Sequence, residues 1–329
     1  MPILSIIIVN YKTPELIAAC VASIYEWTKG GISFEIIIVN NASKAYDKAF
    51  LTERFPEIIW LETGYNSGFG RANNKGMQNA KGEHFLLLNS DTLIIDNSIE
   101  QAVNHYKSAG DIAAAGAVQL NPNGSLKTLS PFYAAILRYS WLLFPNKQAD
   151  TFIEKLIPKN EYPDPEEVDF VPGAFVLLHR DIFKKTGGFD ESFFMYGEDV
   201  EWSNRLKRLG KTIILQDCKF IHDEWGSSAE RKQRQLEEIT YFNRFDPQAQ
   251  LSNLVWIRKQ FGAFYYTALM LHYWLWVPIF YLLKIGTNSL KLRYPFQELT
   301  AQRKFAQTIG TFNRHFVNIL FNRKVFYKI

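Results

Sequence analysis

Phe85-Leu86-Leu87-Leu88-Asn89-Ser90-Asp91 decides the fold. A short apolar run that stops at polar turn formers describes a strand buried on both faces, with the Asp91 carboxylate just beyond its end. The same pattern recurs upstream. Leu4 to Val9 is a run of branched apolar residues ending at Asn10-Tyr11, and Phe34 to Val39 repeats it and stops at Asn40-Asn41-Ala42-Ser43. Ile58 to Leu61 supplies a further strand, and His84 to Leu88 is the one quoted first. Between the first two, Thr13-Pro14-Glu15 opens a helical pattern through Tyr25, with Thr13 as N-cap and Pro14 at the first helical position. Buried runs alternating with helices predict an α/β, Rossmann-like, mostly parallel sheet with helices on both faces. Ligands gather outside the carboxyl ends of such strands, so Asn10, Tyr11, Asn40, Asn41, Asn89 and Asp91 are the residues to weigh for binding.

Further along, the pattern predicts a helix from Asp96 to Ser108, a strand from Ile112 to Leu120 and a turn at Asn121-Pro122-Asn123-Gly124. From Pro131 to Glu167 periodicity weakens, which reads as a variable insertion near the substrate. Order resumes with a strand from Val168 to Leu178, a turn at Gly187-Gly188-Phe189-Asp190, a helix from Glu198 to Leu209 and a last strand from Thr212 to Leu215. The remainder is helical in character.

Four segments carry chemistry. At Asn89-Ser90-Asp91 a hard divalent cation can bridge Asp91 and a diphosphate, although an Asx turn capping the strand is the plainer reading. Gly64 to Asn74 is a glycine-rich loop running into a helix, where backbone amides can meet an anion or simply start a helix. It is no dinucleotide fingerprint: Asn73 stands where the third glycine of GxGxxG belongs, which disfavours a nicotinamide or flavin oxidoreductase. Gly197-Glu198-Asp199-Val200-Glu201-Trp202 sets three acids at a helix start, where they stabilise the helix regardless of function; the functional alternative makes one a general base. His222 follows the last strand and precedes Gly226-Ser227-Ser228, as a structural histidine or as a metal or phosphate contact.

In this order and spacing the segments resemble family 2 glycosyltransferases of the GT-A fold, particularly bacterial rhamnosyltransferase-like members. The resemblance covers roughly residues 3 to 245 and is carried by Asn-Ser-Asp, then Gly-Gly-Phe-Asp-Glu, then Tyr-Gly-Glu-Asp-Val-Glu. It implies a nucleotide-diphosphate sugar donor (dTDP-rhamnose or a UDP-hexose), a lipid-linked or growing polysaccharide acceptor of the cell surface, an inverting displacement and a divalent cation, Mg or Mn. Asp91 becomes the metal-binding carboxylate of a DxD-like motif, with His222 near the metal or diphosphate. Asn10, Tyr11, Asn40, Asn41, Asn66, Gly68, Asn73 and Asn89 would lie around the nucleotide sugar. Asp199 becomes the catalytic base, with Glu198, Glu201 and Trp202 toward the acceptor. The family usually has Asp where this chain has Asn40, which loosens the expectation about the nucleotide. Retention of both Asp91 and Asp199 argues against a relative that has kept the fold and lost turnover.

Composition sets the surroundings. Two cysteines far apart, Cys20 and Cys218, fit a reducing compartment, and Met1 to Lys12 lacks a basic n-region or cleavage site, so the chain is expected on the cytoplasmic side. Thr287 to Ile329 holds eight Lys or Arg against the single acid Glu298, while residues 1 to 286 are slightly acidic, 29 basic to 32 acidic. Aromatic residues interleaved with the basic ones favour an anionic membrane surface over nucleic acid. Phe264 to Ile285 has Lys284 as its only formal charge and is long enough to cross ~30 Å of hydrocarbon. Its His272, Pro278, tyrosines and tryptophans favour a helix lying in the interface; a spanning helix and one packed on the catalytic domain stay open. The expected division is a catalytic domain over 1–245 and a helical, membrane-associating region over 246–329.

Overall fold

The computed structural model describes residues 2–42, 44–127, 166–223 and 247–329. Residues 2–127 and 166–223 belong to one compact unit and residues 247–329 to another. The expected boundary at 245/246, most of the expected insertion at Pro131 to Glu167, and the Gly226-Ser227-Ser228 loop lie outside the described residues.

The first unit is one sheet with helices on both sides. Its strands are β1 (Leu4–Asn10), β2 (Phe34–Asn40), β3 (Ile59–Glu62), β4 (His84–Leu88), β5 (Thr92–Ile94), β6 (Ile112–Leu120), β7 (Glu166–Glu167), β8 (Phe175–His179) and β9 (Lys211–His222). They run β3-β2-β1-β4-β8-β6-β9-β5, with β7 also paired to β9. β3, β2, β1 and β4 are mutually parallel, as the sequence pattern predicts. β8 then inserts antiparallel between β4 and β6, and β5 returns antiparallel to β9, so the far half of the sheet is mixed.

Alternation explains why the early strands read as continuous apolar runs. Ile6, Ile8, Ile36, Ile38, Leu86 and Leu88 point to one core, and Ile7, Ile37, Val39, Phe85 and Leu87 to the other. The first core is closed by α1 (Pro14–Trp27) and α4 (Ser98–Ser108) through Ile17, Val21, Ile24, Ile99 and Val103. The second is closed by α3 (Phe69–Asn79) and by α6 (Glu198–Leu206), through Ala72, Met77, Trp202 and Leu206. Gly76 lets α3 sit down on β1, since a Cβ there would lie 2.4 Å from Ile7 Cγ2. α2 (Ala45–Arg54) and α5 (Arg180–Thr186) complete this unit's described helices.

Three expectations shift. The strand expected over Val168 to Leu178 starts only at Phe175, because Pro172-Gly173 breaks the ladder. The last strand extends from Lys211 to His222, across the polar Gln216-Asp217 and a register shift that periodicity alone reads as an end. Thr13 occupies the N-cap position without a side-chain capping bond; its hydroxyl instead donates to Ser90 Oγ at 3.3 Å.

The second unit is a helical hairpin of α7 (Pro247–Leu290) and α8 (Thr300–Leu320). α7 breaks at Gly262, whose φ of 87° is left-handed. Beyond the break, Tyr266 stacks on Phe316, Tyr273 leans on Phe312 at a tilt and Phe280 meets Phe305 edge to face, which runs the two helices antiparallel. Asn288 closes the turn by donating to the carbonyls of Pro295 and Gln297 at 3.0 and 2.9 Å.

Candidate active site

Three strand ends and one returning strand build the site. β1 ends in Asn10, which is fully buried; its Nδ2 donates to Asn40 Oδ1 and to Asp47 Oδ2, both at 3.1 Å. Asn40, at the end of β2, donates in turn to Glu62 Oε2 at 2.7 Å. An amide at position 40 thus both gives and accepts, a task a carboxylate cannot perform. Asp47 and Glu62 escape a reading of strand ends because one lies within α2 and the other is the last residue of a short, half-buried strand.

Asn41 holds the glycine-rich loop. Its Oδ1 accepts from the Ser67 N–H at 2.7 Å and the Ser67 hydroxyl at 2.8 Å, and its Nδ2 donates to Asn66 Oδ1 at 3.2 Å and to the Gly68 carbonyl at 3.3 Å. Gly68 has φ 81° and passes so near the Phe194 carbonyl that a Cβ would lie 2.2 Å from its oxygen. Asn73 is buried and donates to the Phe69 carbonyl, one turn back in α3, so its side chain serves the helix. Tyr11 is exposed, with the Lys12 ammonium over its ring at 5.1 Å.

Asp91 and His222 meet because β5 turns back onto β9. Thr92 pairs with His222 across the two strands, and the Asp223 N–H donates to the Asp91 carbonyl at 3.0 Å. Asp91 Oδ1 and His222 Nε2 are then 3.3 Å apart, both side chains nearly buried. His222 Nδ1 lies 2.9 Å from Gln119 Oε1, an acceptor only, so Nδ1 carries a proton and Nε2 is the ring nitrogen that faces Asp91. A carboxylate oxygen beside an imidazole nitrogen, with the other ring nitrogen fixed by an amide, is a donor set that fits a divalent cation. Asn89 Nδ2 also lies 3.3 Å from Nε2. Gln119, on β6, is the orienting residue that sequence reading misses, since it sits inside a strand at a distance only the sheet order reveals.

The segment Pro172-Gly173-Ala174 links this corner to the acids of α6. The Asn89 N–H donates to the Ala174 carbonyl at 3.1 Å, and the Gly173 N–H donates to Asp199 Oδ2 at 3.2 Å. Asp199 Oδ1 also accepts from the Val200 N–H at 2.9 Å. Glu198 beside it is buried, and its Oε2 has no hydrogen-bond partner among the described residues. Burial first, and the Asp199 charge second, push the Glu198 carboxyl up to about 8. Burial also raises Asp199, opposed by its backbone amides. Amides that favour the anion on one residue, and none on the free oxygen of the other, divide the pair: Glu198 holds the proton and Asp199 the charge. Asp199 is half-buried where Glu198 is fully buried.

The two other acceptor-side candidates are placed differently. Trp202 packs in the core 4.5 Å from the Phe189 ring and donates to the Gly187 carbonyl at 3.0 Å, so it supports α6 from beneath. Glu201 is held by Arg205 at 2.7 Å, one turn along the helix. Asn74 joins them as scaffold, exchanging hydrogen bonds with the backbone of Phe189 at 2.8 and 2.9 Å.

A mixed sheet of this topology is the GT-A fold of glycosyltransferases. The model of glycosyl transferase family 2 matches residues 5–187, and the chain belongs to that family. Over 248 residues it is 26% identical to the O-antigen biosynthesis protein RfbC of Myxococcus xanthus, covering 73% of this chain and 18% of that protein. Over 243 residues it is 25% identical to an N-acetylglucosaminyl-diphospho-decaprenol L-rhamnosyltransferase of Mycobacterium tuberculosis, covering 69% of this chain and 78% of that one. Among solved structures, the mannosyltransferase PcManGT from Pyrobaculum calidifontis in complex with GDP-Man and Mn2+ superposes with a TM-score of 0.53 at 14% identity, covering 98% of this chain and 88% of that one.

Proposed function

We propose that this glycosyltransferase is inverting and metal-dependent, and that it moves a sugar from a nucleotide-diphosphate donor, dTDP-rhamnose or a UDP-hexose, to a lipid-linked or growing cell-surface glycan on the cytoplasmic face of a membrane. The observation that carries this reading is the separation of two carboxylates into two environments joined by one segment. Asp91 stands with His222, and Asp199 with the Gly173 amide. The first pair would hold Mg or Mn, which when bound supplies positive charge against the departing nucleoside diphosphate. Asp199 takes the proton of the attacking acceptor hydroxyl, and neutral Glu198 keeps it the only anion of the pair. A single carboxylate base suits a single in-line displacement. The amide and carboxylate network of Asn10, Asn40, Asp47 and Glu62 receives the nucleotide, and Asn41 sets the Asn66 to Gly68 loop beside it. The rhamnosyltransferase relative supports the donor and acceptor classes.

The C-terminal hairpin supports a membrane surface as partner. α7 is long and apolar enough to cross a membrane by length and composition. Its far face carries exposed Leu271, Leu275, Ile279, Leu282 and Leu290, spaced as one helical stripe. Its near face is fastened to α8, which carries Arg303, Lys304 and Arg314. Burying α7 across hydrocarbon would drag those charges with it, so the hairpin lies in the interface with the stripe down.

The test is a panel of dTDP-, UDP- and GDP-sugars, with and without Mg or Mn, read by thermal shift and then by transfer to a polyprenyl-linked sugar. Stabilisation by one nucleotide series that needs the metal supports the reading. A donor response indifferent to metal, or a product with retained anomeric configuration, overturns it.

A further inference from the structure

β4 has two ends, and the second also gathers metal-seeking side chains. His84 opens β4 directly opposite His179, which closes β8, in the antiparallel register. Their rings lie 5.1 Å apart at 79°. Glu83 Oε1 is 3.5 Å from His179 Nε2, and one ligand atom from each of Glu83, His84 and His179 falls within 4.8 Å of the others. His84 is 2% exposed and, among the described residues, its Nδ1 has no hydrogen-bond partner, a cost that a buried polar atom carries only where something offsets it.

We propose that Glu83, His84 and His179 form a second cation site, separate from Asp91 and His222, for a first-row divalent metal that prefers imidazole, with Zn2+ as the representative. Two imidazoles and a carboxylate are zinc's borderline ligands, and three protein ligands leave a fourth position for water. The site lies at the opposite end of β4 from Asp91, about 13 Å of strand away. Its consequence is mechanical: the metal ties the start of β4 to the end of β8 and to the first turn of α5. His179 Nδ1 now accepts the Asp181 N–H at 3.1 Å, so the ring proton sits on Nε2. Loading at Nε2 would move that proton to Nδ1, which would give up the bond from the Asp181 N–H and face the Asp181 carboxylate, now 3.8 Å away.

The experiment is calorimetric titration of chelator-stripped full-length protein with ZnCl2, comparing the parent with His179→Asn, Glu83→Gln and Asp91→Ala. Asn retains an N-cap acceptor for α5, and Glu83 is exposed, so neither change threatens the fold. The site predicts that one zinc equivalent disappears in His179→Asn, weakens by at least about tenfold in Glu83→Gln, and persists in Asp91→Ala. Zinc binding unchanged in the first two, or lost entirely in Asp91→Ala, overturns the proposal.

Discussion

The sheet unit and the C-terminal hairpin break the same rule in opposite directions. In the sheet unit the informative residues are polar and buried: Asn10, Asn40, Asn41, Asp91, Glu198 and His222. In the hairpin they are apolar and exposed: Phe264, Leu271, Leu275, Leu282, Leu290 and Leu292. Polar groups are withdrawn from water only where partners or a ligand satisfy them, and a contiguous apolar face is left in water only where something else covers it. The first unit therefore withdraws polar groups of the kind that meet a small polar ligand, and the second leaves apolar groups of the kind that the proposed membrane surface would cover.

The largest expected effect tests the first half of that contrast. Asp199→Asn keeps size and most hydrogen bonds but cannot take a full proton, so turnover falls by about 100- to 10,000-fold while donor affinity holds. Near-normal transfer rates would move the base to Glu198. Asp91→Ala comes next: donor affinity drops by about a hundredfold and stops responding to Mg or Mn, since a cation's hold on phosphoryl oxygen is worth several kcal/mol. Calorimetry with and without metal decides it, and an unchanged metal response removes Asp91 from the role.

The hairpin half is tested by Leu275→Glu with Leu282→Glu. Two side chains removed from the stripe lower sedimentation with anionic vesicles by at least about tenfold, at roughly 1.5 kcal/mol or more for each lost burial. Donor affinity is expected to stay as it was. Vesicle binding that survives both changes would place the contact elsewhere.

The smallest effect concerns the buried acid pair. Because Glu198 holds its proton more tightly when folded, the protein loses stability as pH rises from the usual carboxylate range through about 8. Glu198→Gln removes that loss. The variant should melt a few °C above the parent at about pH 9 and level with it at about pH 4. A constant difference across that range would show the carboxyl is not titrating there.

Strand ends were the legible part of the site. Asn10, Asn40, Asn41 and Asp91 each follow a buried apolar run, and a run that stops abruptly at an amide or carboxylate is visible in one dimension. Gln119 was not legible, because its role depends on β6 lying beside β9. Trp202 misled for the same reason: its neighbours in sequence are the acids, whereas its neighbours in space are Phe189 and the Gly187 carbonyl. The C-terminal half of β9 was also hidden, since Gln216-Asp217 looks like a strand end unless a partner strand is present to continue the ladder.

By itself the sequence determined the parallel half of the sheet, the polar ledge at its strand ends and the apolar length of α7, since all three follow from side-chain period and run length. The tertiary structure decided what those residues face. β5 turning back onto β9 sets His222 against Asp91, β8 entering antiparallel carries Gly173 to Asp199, and α8 covers one side of α7 and leaves the other bare. Period and run length are properties of neighbours along the chain, whereas ligand sets, proton partners and uncovered faces come from residues that meet only when distant strands and helices are brought side by side.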